Sequence, residues 1–267
     1  MRSLITVWAA ASALVLSPGG VLGGGGKMEL PPATVRYIVQ GVYEVRKSGS
    51  PAGREDFIRT HMSNNTVVYE SVFDVIESKD VTVSGNNKLE VEEDSGFPMS
   101  YYTSRRVHTS DGETVREVSV QMYANVAVVS ERQGDDEKRQ IVELPTGCLF
   151  VEGNISHHLT AALERYDREA GGKQTFRAFD PLGVGTTDVS VELMGDTTFV
   201  QPRGPSGGAS PSGEMAHYRY FAGASHAADV FADRDTSIIR FINAPASETE
   251  YVLLSIEKRM AEGPSQK

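Results

Sequence analysis

Three residues that could bind a metal ion or transfer protons lie close together near the middle of the chain: His157, His158 and Glu164. On a helix, His157 and Glu164 are separated by about two turns and share a face, whereas adjacent histidines point about 100° apart. A zinc site on one helix needs histidines three or four positions apart and a further ligand. The spacing leaves two readings: a hydrolase that uses His157 and Glu164, or a solvated helix face. We expect the solvated face, with no catalytic residue, metal ion or cofactor.

The only cysteine, Cys148, is flanked by Thr146-Gly147 and Leu149-Phe150-Val151. With one thiol, no disulfide can form within the chain. The apolar residues that follow favour a buried structural cysteine. An intermolecular disulfide or a reactive thiol are the alternatives, and the second needs a neighbouring base that the local sequence does not supply.

The first 23 residues have the parts of a secretory signal peptide. Arg2 supplies the positive start, Leu4 to Leu16 form the apolar stretch, and small residues precede Gly23. The apolar stretch is too short to cross about 30 Å of hydrocarbon. We therefore expect a periplasmic or secreted mature protein with no membrane span, which begins with a disordered segment at 24–33.

The charge of the chain argues against one class of partner. The formal net charge is −10, and loss of Arg2 with the leader takes it to −11. Such a charge repels phosphates at long range, so we expect no nucleic-acid partner.

From Thr34 onward, apolar and polar residues alternate with the period of a β-strand. Short segments rich in glycine, asparagine and aspartate interrupt the alternation, as hairpin turns do. We predict such turns at 48–51, 63–65, 84–87, 94–96, 110–112 and 133–136. The rhythm predicts a mainly β fold of about eleven or twelve strands in a curved antiparallel meander, as a barrel or half-barrel. We expect one domain over 34–260, a mobile loop at 202–213 that is rich in proline, glycine and serine, and a disordered tail at 261–267.

One segment has helical rather than strand spacing. Its apolar residues are Ile155, Leu159, Ala162, Leu163 and Tyr166, with Asn154 or Ser156 as N-cap and Gly171-Gly172 as the stop. This pattern predicts one amphipathic helix of about four turns, whose apolar side packs on the concave face of the sheet. The strand pattern resumes at 174–179, 188–193 and 197–201, and four short strands follow 214.

Several strand and turn motifs resemble those of bacterial secreted proteins of unknown function, which are thought to share the half-barrel of periplasmic lipoprotein carriers. The motifs are Tyr37-x-x-x-Gly41-x-Tyr43-x-Val45, Gly53-x-x-x-Phe57, Gly96-Phe97-Pro98-x-Ser100-Tyr101 and Val230-Phe231-Ala232-Asp233-x-Asp235-x-x-Ile238-Ile239-Arg240. The resemblance implies an open antiparallel sheet that curls around one or a few helices and leaves an apolar groove.

The resulting hypothesis is a non-enzymatic exported protein that binds a hydrophobic small molecule in the groove of the sheet. The alternatives are an envelope protein that binds a protein partner through a sheet edge, and the hydrolase named above. Aromatic residues of the strands, among them Tyr123, could line the groove or simply fill a dry core. The candidate ligand-binding residues are Tyr37, Tyr43, Phe57, Tyr69, Phe73, Tyr101, Leu159 and Leu163.

Overall fold

The computed structural model describes residues 33–152, 156–199 and 213–261. The predicted leader lies outside the described residues. The N-terminal segment up to residue 32 and the N-cap candidate Asn154 also lie outside them. Of the predicted loop at 202–213 and the predicted tail at 261–267, the structure describes only residues 213 and 261.

The described chain forms one sheet of fifteen strands and one α-helix. The strands are β1 (Val35–Lys47), β2 (Ser50–Met62), β3 (Thr66–Ser78), β4 (Val81–Glu92), β5 (Pro98–Thr109), β6 (Gly112–Tyr123), β7 (Val126–Gln133), β8 (Asp136–Glu143), β9 (Leu149–Phe150), β10 (Lys173–Asp180), β11 (Gly185–Phe199), β12 (Gly213–Ala222), β13 (Ser225–Asp233), β14 (Ile239–Ala244) and β15 (Thr249–Met260). The mainly β fold with a curved antiparallel sheet is confirmed, but the sheet has more strands than the eleven or twelve that were predicted. Among the described residues, no helix is long and apolar enough to cross a membrane.

The order of strands explains the curvature. From edge to edge it runs from β8 down to β1, then from β15 down to β9, so β1 and β15 pair in the middle. All neighbours are antiparallel except β9 and β10. Laid flat at about 4.8 Å per strand, the two edges would lie roughly 65 Å apart. The link from Glu143 to Leu149 spans at most about 22 Å, so the sheet has to curl until its edges approach.

The inner face of the curled sheet makes room for aromatic rings at two glycines. A Cβ added at Gly41 would lie 2.6 Å from two ring carbons of Phe57 on the next strand. A Cβ added at Gly85 would lie 3.0 Å from the ring of Phe73. Both rings therefore lie against backbone rather than against a side chain.

Two predicted boundaries between strands are wrong. Residues 84–87 were expected to form a turn, but they lie inside β4, where Asn87 donates a hydrogen bond to Ser71 Oγ (2.7 Å). The segments 188–193 and 197–201 were expected to be separate strands, but they belong to β11 as far as Phe199. Between them lies a register shift next to Gly195, a β-bulge with a φ of 127° at that glycine.

The helix is shorter than the sequence suggested. A 3₁₀ turn at Ser156–His158 leads into α1 (Leu159–Glu164). The helix ends at Glu164, and beyond it the carboxylate of Asp167 accepts the backbone N–H groups of Glu169 (2.9 Å) and Ala170 (3.2 Å), which holds the following residues in a turn. Such local side-chain bonds compete with helix continuation.

Two buried carboxylates join the segment that carries α1 to the concave face. Glu55 of β2 accepts hydrogen bonds from the backbone N–H (3.2 Å) and the hydroxyl of Ser156. Glu152 forms an ion pair with Arg105 of β5 and accepts a hydrogen bond from Tyr101. Burial raises the pKa of Glu152, and Arg105 and Tyr101 act against that rise. A buried carboxylate in this position requires its partners.

Replacing Gly41 tests its contact with the ring of Phe57. We expect Gly41→Ala to lower the free energy of unfolding by about 1–3 kcal/mol, because the new methyl group overlaps Phe57. In a double-mutant cycle with Phe57→Leu, the cost of Gly41→Ala should fall by at least about 0.5 kcal/mol. Strict additivity in urea unfolding would show that the ring does not set the requirement for glycine.

Replacing Arg105 tests the buried ion pair. Arg105→Leu leaves Glu152 without its charge partner, and we expect a loss of about 3–5 kcal/mol in the free energy of unfolding. The double variant Arg105→Leu/Glu152→Leu should recover most of that loss. If the double variant is no more stable than the single one, the pair is not the source of the effect.

Candidate functional site

A cleft of about 300 Å³ opens on the concave face near the pairing of β1 with β15. Strands β1 and β2 supply six of its fourteen lining residues, and the others come from β3, α1, the turn between β13 and β14, β14 and β15. The lining residues are Tyr37, Val39, Tyr43, Phe57, Arg59, His61, Tyr69, Thr160, Glu164, Asp235, Thr236, Ile238, Ile239 and Lys258.

The floor of the cleft is apolar and fixed in place. Val39, Tyr43, Phe57 and Ile239 are buried. The rings of Tyr43 and Phe57 stack with centroids 5.3 Å apart, and Tyr43 donates its hydroxyl to the carbonyl oxygen of Ile239 (2.8 Å). Because that hydroxyl is bound to the backbone, the ring presents hydrocarbon to the cleft. The floor can therefore contact the apolar part of a ligand without first rearranging.

A charged pair forms one wall. Arg59 Nη2 lies 2.7 Å from Glu164 Oε1, and the guanidinium group lies 5.3 Å from the ring centroid of Tyr69. Arg59 Nε is buried, and no residue of the described chain accepts a hydrogen bond from it. Burial also raises the pKa of Tyr69, so its hydroxyl stays protonated. The wall thus combines a fixed cation with an aromatic face.

Tyr37 organises the mouth. The ring of His61 stacks on it with centroids 4.0 Å apart, and Lys258 Nζ lies 4.3 Å from its centroid. Lys258, Asp235 and Thr236 are exposed. The cleft therefore passes from an apolar floor to a polar, solvent-exposed rim.

His61 is the buried titratable group of this rim. Its Nδ1 lies 2.7 Å from Glu93 Oε1. Burial lowers the pKa of His61, the positive charges of Arg59 and Arg36 act in the same direction, and the hydrogen bond to Glu93 opposes them. The ring is therefore neutral at neutral pH, and its Nδ1–H donates to Glu93.

The structure brings together four of the eight candidate ligand-binding residues in the cleft: Tyr37, Tyr43, Phe57 and Tyr69. The other four lie outside its lining. Phe73 packs beneath Arg105, Tyr101 lies against Phe150, and Leu159 and Leu163 belong to the core between α1 and strands β9–β15. The fifth tyrosine considered with them, Tyr123, is 59% exposed and cannot contribute to an inner groove.

Sequence reasoning missed the charged residues of the cleft, although a signal was present. Arg59 and His61 follow Phe57 at intervals of two, so they face the same side of β2 as that ring. Polar residues at inward positions of a strand mark either a buried network or a site. Lys258 had no comparable signal, since its place beside β1 depends on a pairing between the two ends of the chain.

The other residues considered for chemistry have less to offer. Cys148 is fully buried, and burial raises the pKa of its thiol to about 11, as expected for a structural cysteine. The side chain of His157 lies outside the described part of the chain, while Glu164 pairs with Arg59. The expectation of a solvated helix face is wrong for His158, which is buried against the rings of Tyr101 and Phe150. Among the residues that the structure describes, no three His, Cys, Asp or Glu side chains are grouped to hold a metal ion.

The sequence matches no family model and no curated protein. The fold is similar to the crystal structure of a β-barrel-like protein of a domain of unknown function, DUF1849, from Brucella abortus. The TM-score is 0.54 over 85% of this chain and 98% of that chain, with 9% sequence identity. At that identity the similarity establishes a shared β-barrel-like fold and nothing about activity.

The state of His61 makes stability depend on pH. The unfolded chain takes up a proton as the pH falls through about 6.5, whereas the folded chain, with its lowered pKa, does not. We expect the free energy of unfolding to decrease as the pH drops from about 7.5 to about 5.5, and His61→Gln to reduce that decrease. The exposed His108 provides the control, His108→Gln. Urea titrations with an unchanged pH dependence in His61→Gln would contradict the assignment.

Proposed function

We propose that the protein is an exported, non-enzymatic binding protein, periplasmic or secreted, that holds the apolar part of a small ligand in the cleft. The single observation behind this proposal is the floor of Val39, Tyr43, Phe57 and Ile239, which lies beneath a solvent-exposed rim. Ligand sites in proteins are typically concave, largely apolar and preformed, with a few polar groups that orient the ligand. The resemblance to the half-barrel of periplasmic lipoprotein carriers supports the same class of function.

The size and chemistry of the cleft favour a small ligand whose hydrocarbon portion lies on the floor. A volume of about 300 Å³ is at the lower end for small-molecule sites. Each 100 Å² of apolar ligand surface removed from water contributes roughly 2.5 kcal/mol before the cost of association. The stacked rings of Tyr43 and Phe57 supply part of that contact surface.

The other two hypotheses have less support. The strand β8 forms one edge of the sheet, but its residues Asp136 to Arg139 are exposed and charged, which opposes pairing with another strand. A hydrolase would require Glu164 as a proton acceptor, and its carboxylate is bound to Arg59.

Replacing Ile238 at the rim of the cleft tests the proposed function. Wild-type protein should bind the neutral fluorescent probe N-phenyl-1-naphthylamine saturably. Ile238→Asn should weaken that binding by about tenfold, because apolar contact is lost and an amide must be desolvated. The matched control is Ile141→Asn on the outer face, where the side chain is 73% exposed.

Thermal unfolding checks that both variants fold. If wild-type protein shows no saturable uptake, or if the two variants bind the probe equally, the cleft is not a ligand site.

A further inference from the structure

We propose that the ligand is an amphiphile with a carboxylate head group, and that this head group takes the place of Glu164 on Arg59. The inference rests on the proposed function, since it assigns the polar end of a ligand whose apolar end occupies the floor. In this proposal the carboxylate of Glu164 competes with the ligand for Arg59.

Arg59 already binds a carboxylate inside the cleft. Its Nη2 lies 2.7 Å from Glu164 Oε1, which shows that a carboxylate fits beside the guanidinium group and the ring of Tyr69. Arg59 Nε has no acceptor in the described chain, so the guanidinium group can donate one more hydrogen bond. A planar guanidinium group binds carboxylates with two parallel hydrogen bonds when both donors are available.

A second cation lies on the same row of the inner face. Val39 of β1 is opposite Arg59 on β2 and opposite Lys258 on β15. Since adjacent strands are about 4.8 Å apart, the two cationic residues are attached to the backbone roughly 10 Å from each other, on either side of Val39. Lys258 contacts the ring of Tyr37 and forms no ion pair with any residue in the described ranges.

The charges of the lining residues sum to zero only when one carboxylate is bound to Arg59. Arg59 and Lys258 are positive, Glu164 and Asp235 are negative, and His61 is neutral at neutral pH. When Glu164 turns away, two positive charges face Asp235 alone. One carboxylate from a ligand restores the balance, whereas a neutral or cationic head group does not.

Glu164 can leave without disrupting the core. It is the last residue of α1, and its side chain is 35% exposed. Ala162 and Leu163 keep the helix packed in the core. Exchange of one carboxylate for another on Arg59 therefore requires only that the side chain of Glu164 rotate towards solvent.

Displacement of N-phenyl-1-naphthylamine by laurate and by dodecanol tests the inference, because the two compounds share a chain and differ in the head group. We expect wild-type protein to bind laurate more tightly than dodecanol at neutral pH. Glu164→Gln should increase the affinity for laurate by about fivefold and change the affinity for dodecanol by less than about twofold. Lys258→Gln should lower the affinity for laurate by about fivefold, again without affecting the affinity for dodecanol. Glu137→Gln on the exposed strand β8 is the matched control and should behave as wild type.

The outcomes separate this inference from the proposed function. If both compounds displace the probe equally from every variant, the cleft binds hydrocarbon and the assignment of the head group is wrong. If Lys258→Gln weakens laurate while Glu164→Gln has no effect, exchange at Arg59 is wrong. If neither compound displaces the probe and the probe itself does not bind, the proposed function fails.

Discussion

The short link between β8 and β9 is the constraint on which the rest of this structure depends. These strands lie at opposite edges of a fifteen-stranded sheet, yet only residues 144–148 separate them. Curling is therefore required by the chain length, and it crowds the inner face. The rings of Phe57 and Phe73 fit there because glycines lie opposite them. The link itself is buried in the same core, since Leu144 and Cys148 pack with residues of β3 to β7.

The same link brings α1 to the concave side of the sheet, and this determines where a cleft can exist. After β9 the chain is attached through Glu152 to Arg105 and through Ser156 to Glu55. These polar contacts use inner-face positions that would otherwise hold apolar side chains. They also fix the helix so that its last residue, Glu164, meets Arg59. The cleft is thus the space left between a curled sheet and a helix that is attached beside it.

The sequence allowed the fold class to be predicted because strand alternation is a local property. The predictions of turns and strand boundaries were wrong where a glycine is explained by a contact between strands rather than by a turn. Residues 84–87 have turn composition, but a Cβ at Gly85 would meet the carbonyl oxygen of Ser104 and the ring of Phe73 on the two neighbouring strands. Gly195 allows a bulge rather than a turn, since β12 continues to pair on both sides of it. The pairing of β1 with β15 joins residues more than 200 positions apart, and no periodicity indicates it.

The candidate site was harder to predict than the fold because the aromatic residues on the inner face have different partners. Tyr101 and Tyr43 are both almost fully buried, but the first donates its hydroxyl to Glu152 and fills the core, while the second borders the cleft. The sequence pattern does not show which tyrosine borders the cleft, since both occupy inward positions in the alternation of their strands. Charged side chains at inward positions are more informative, because burial of a charge is costly unless a partner or solvent is within reach. In this protein Arg59 has both, and its place on the row of the inner face with Lys258 locates the cleft more sharply than any ring does.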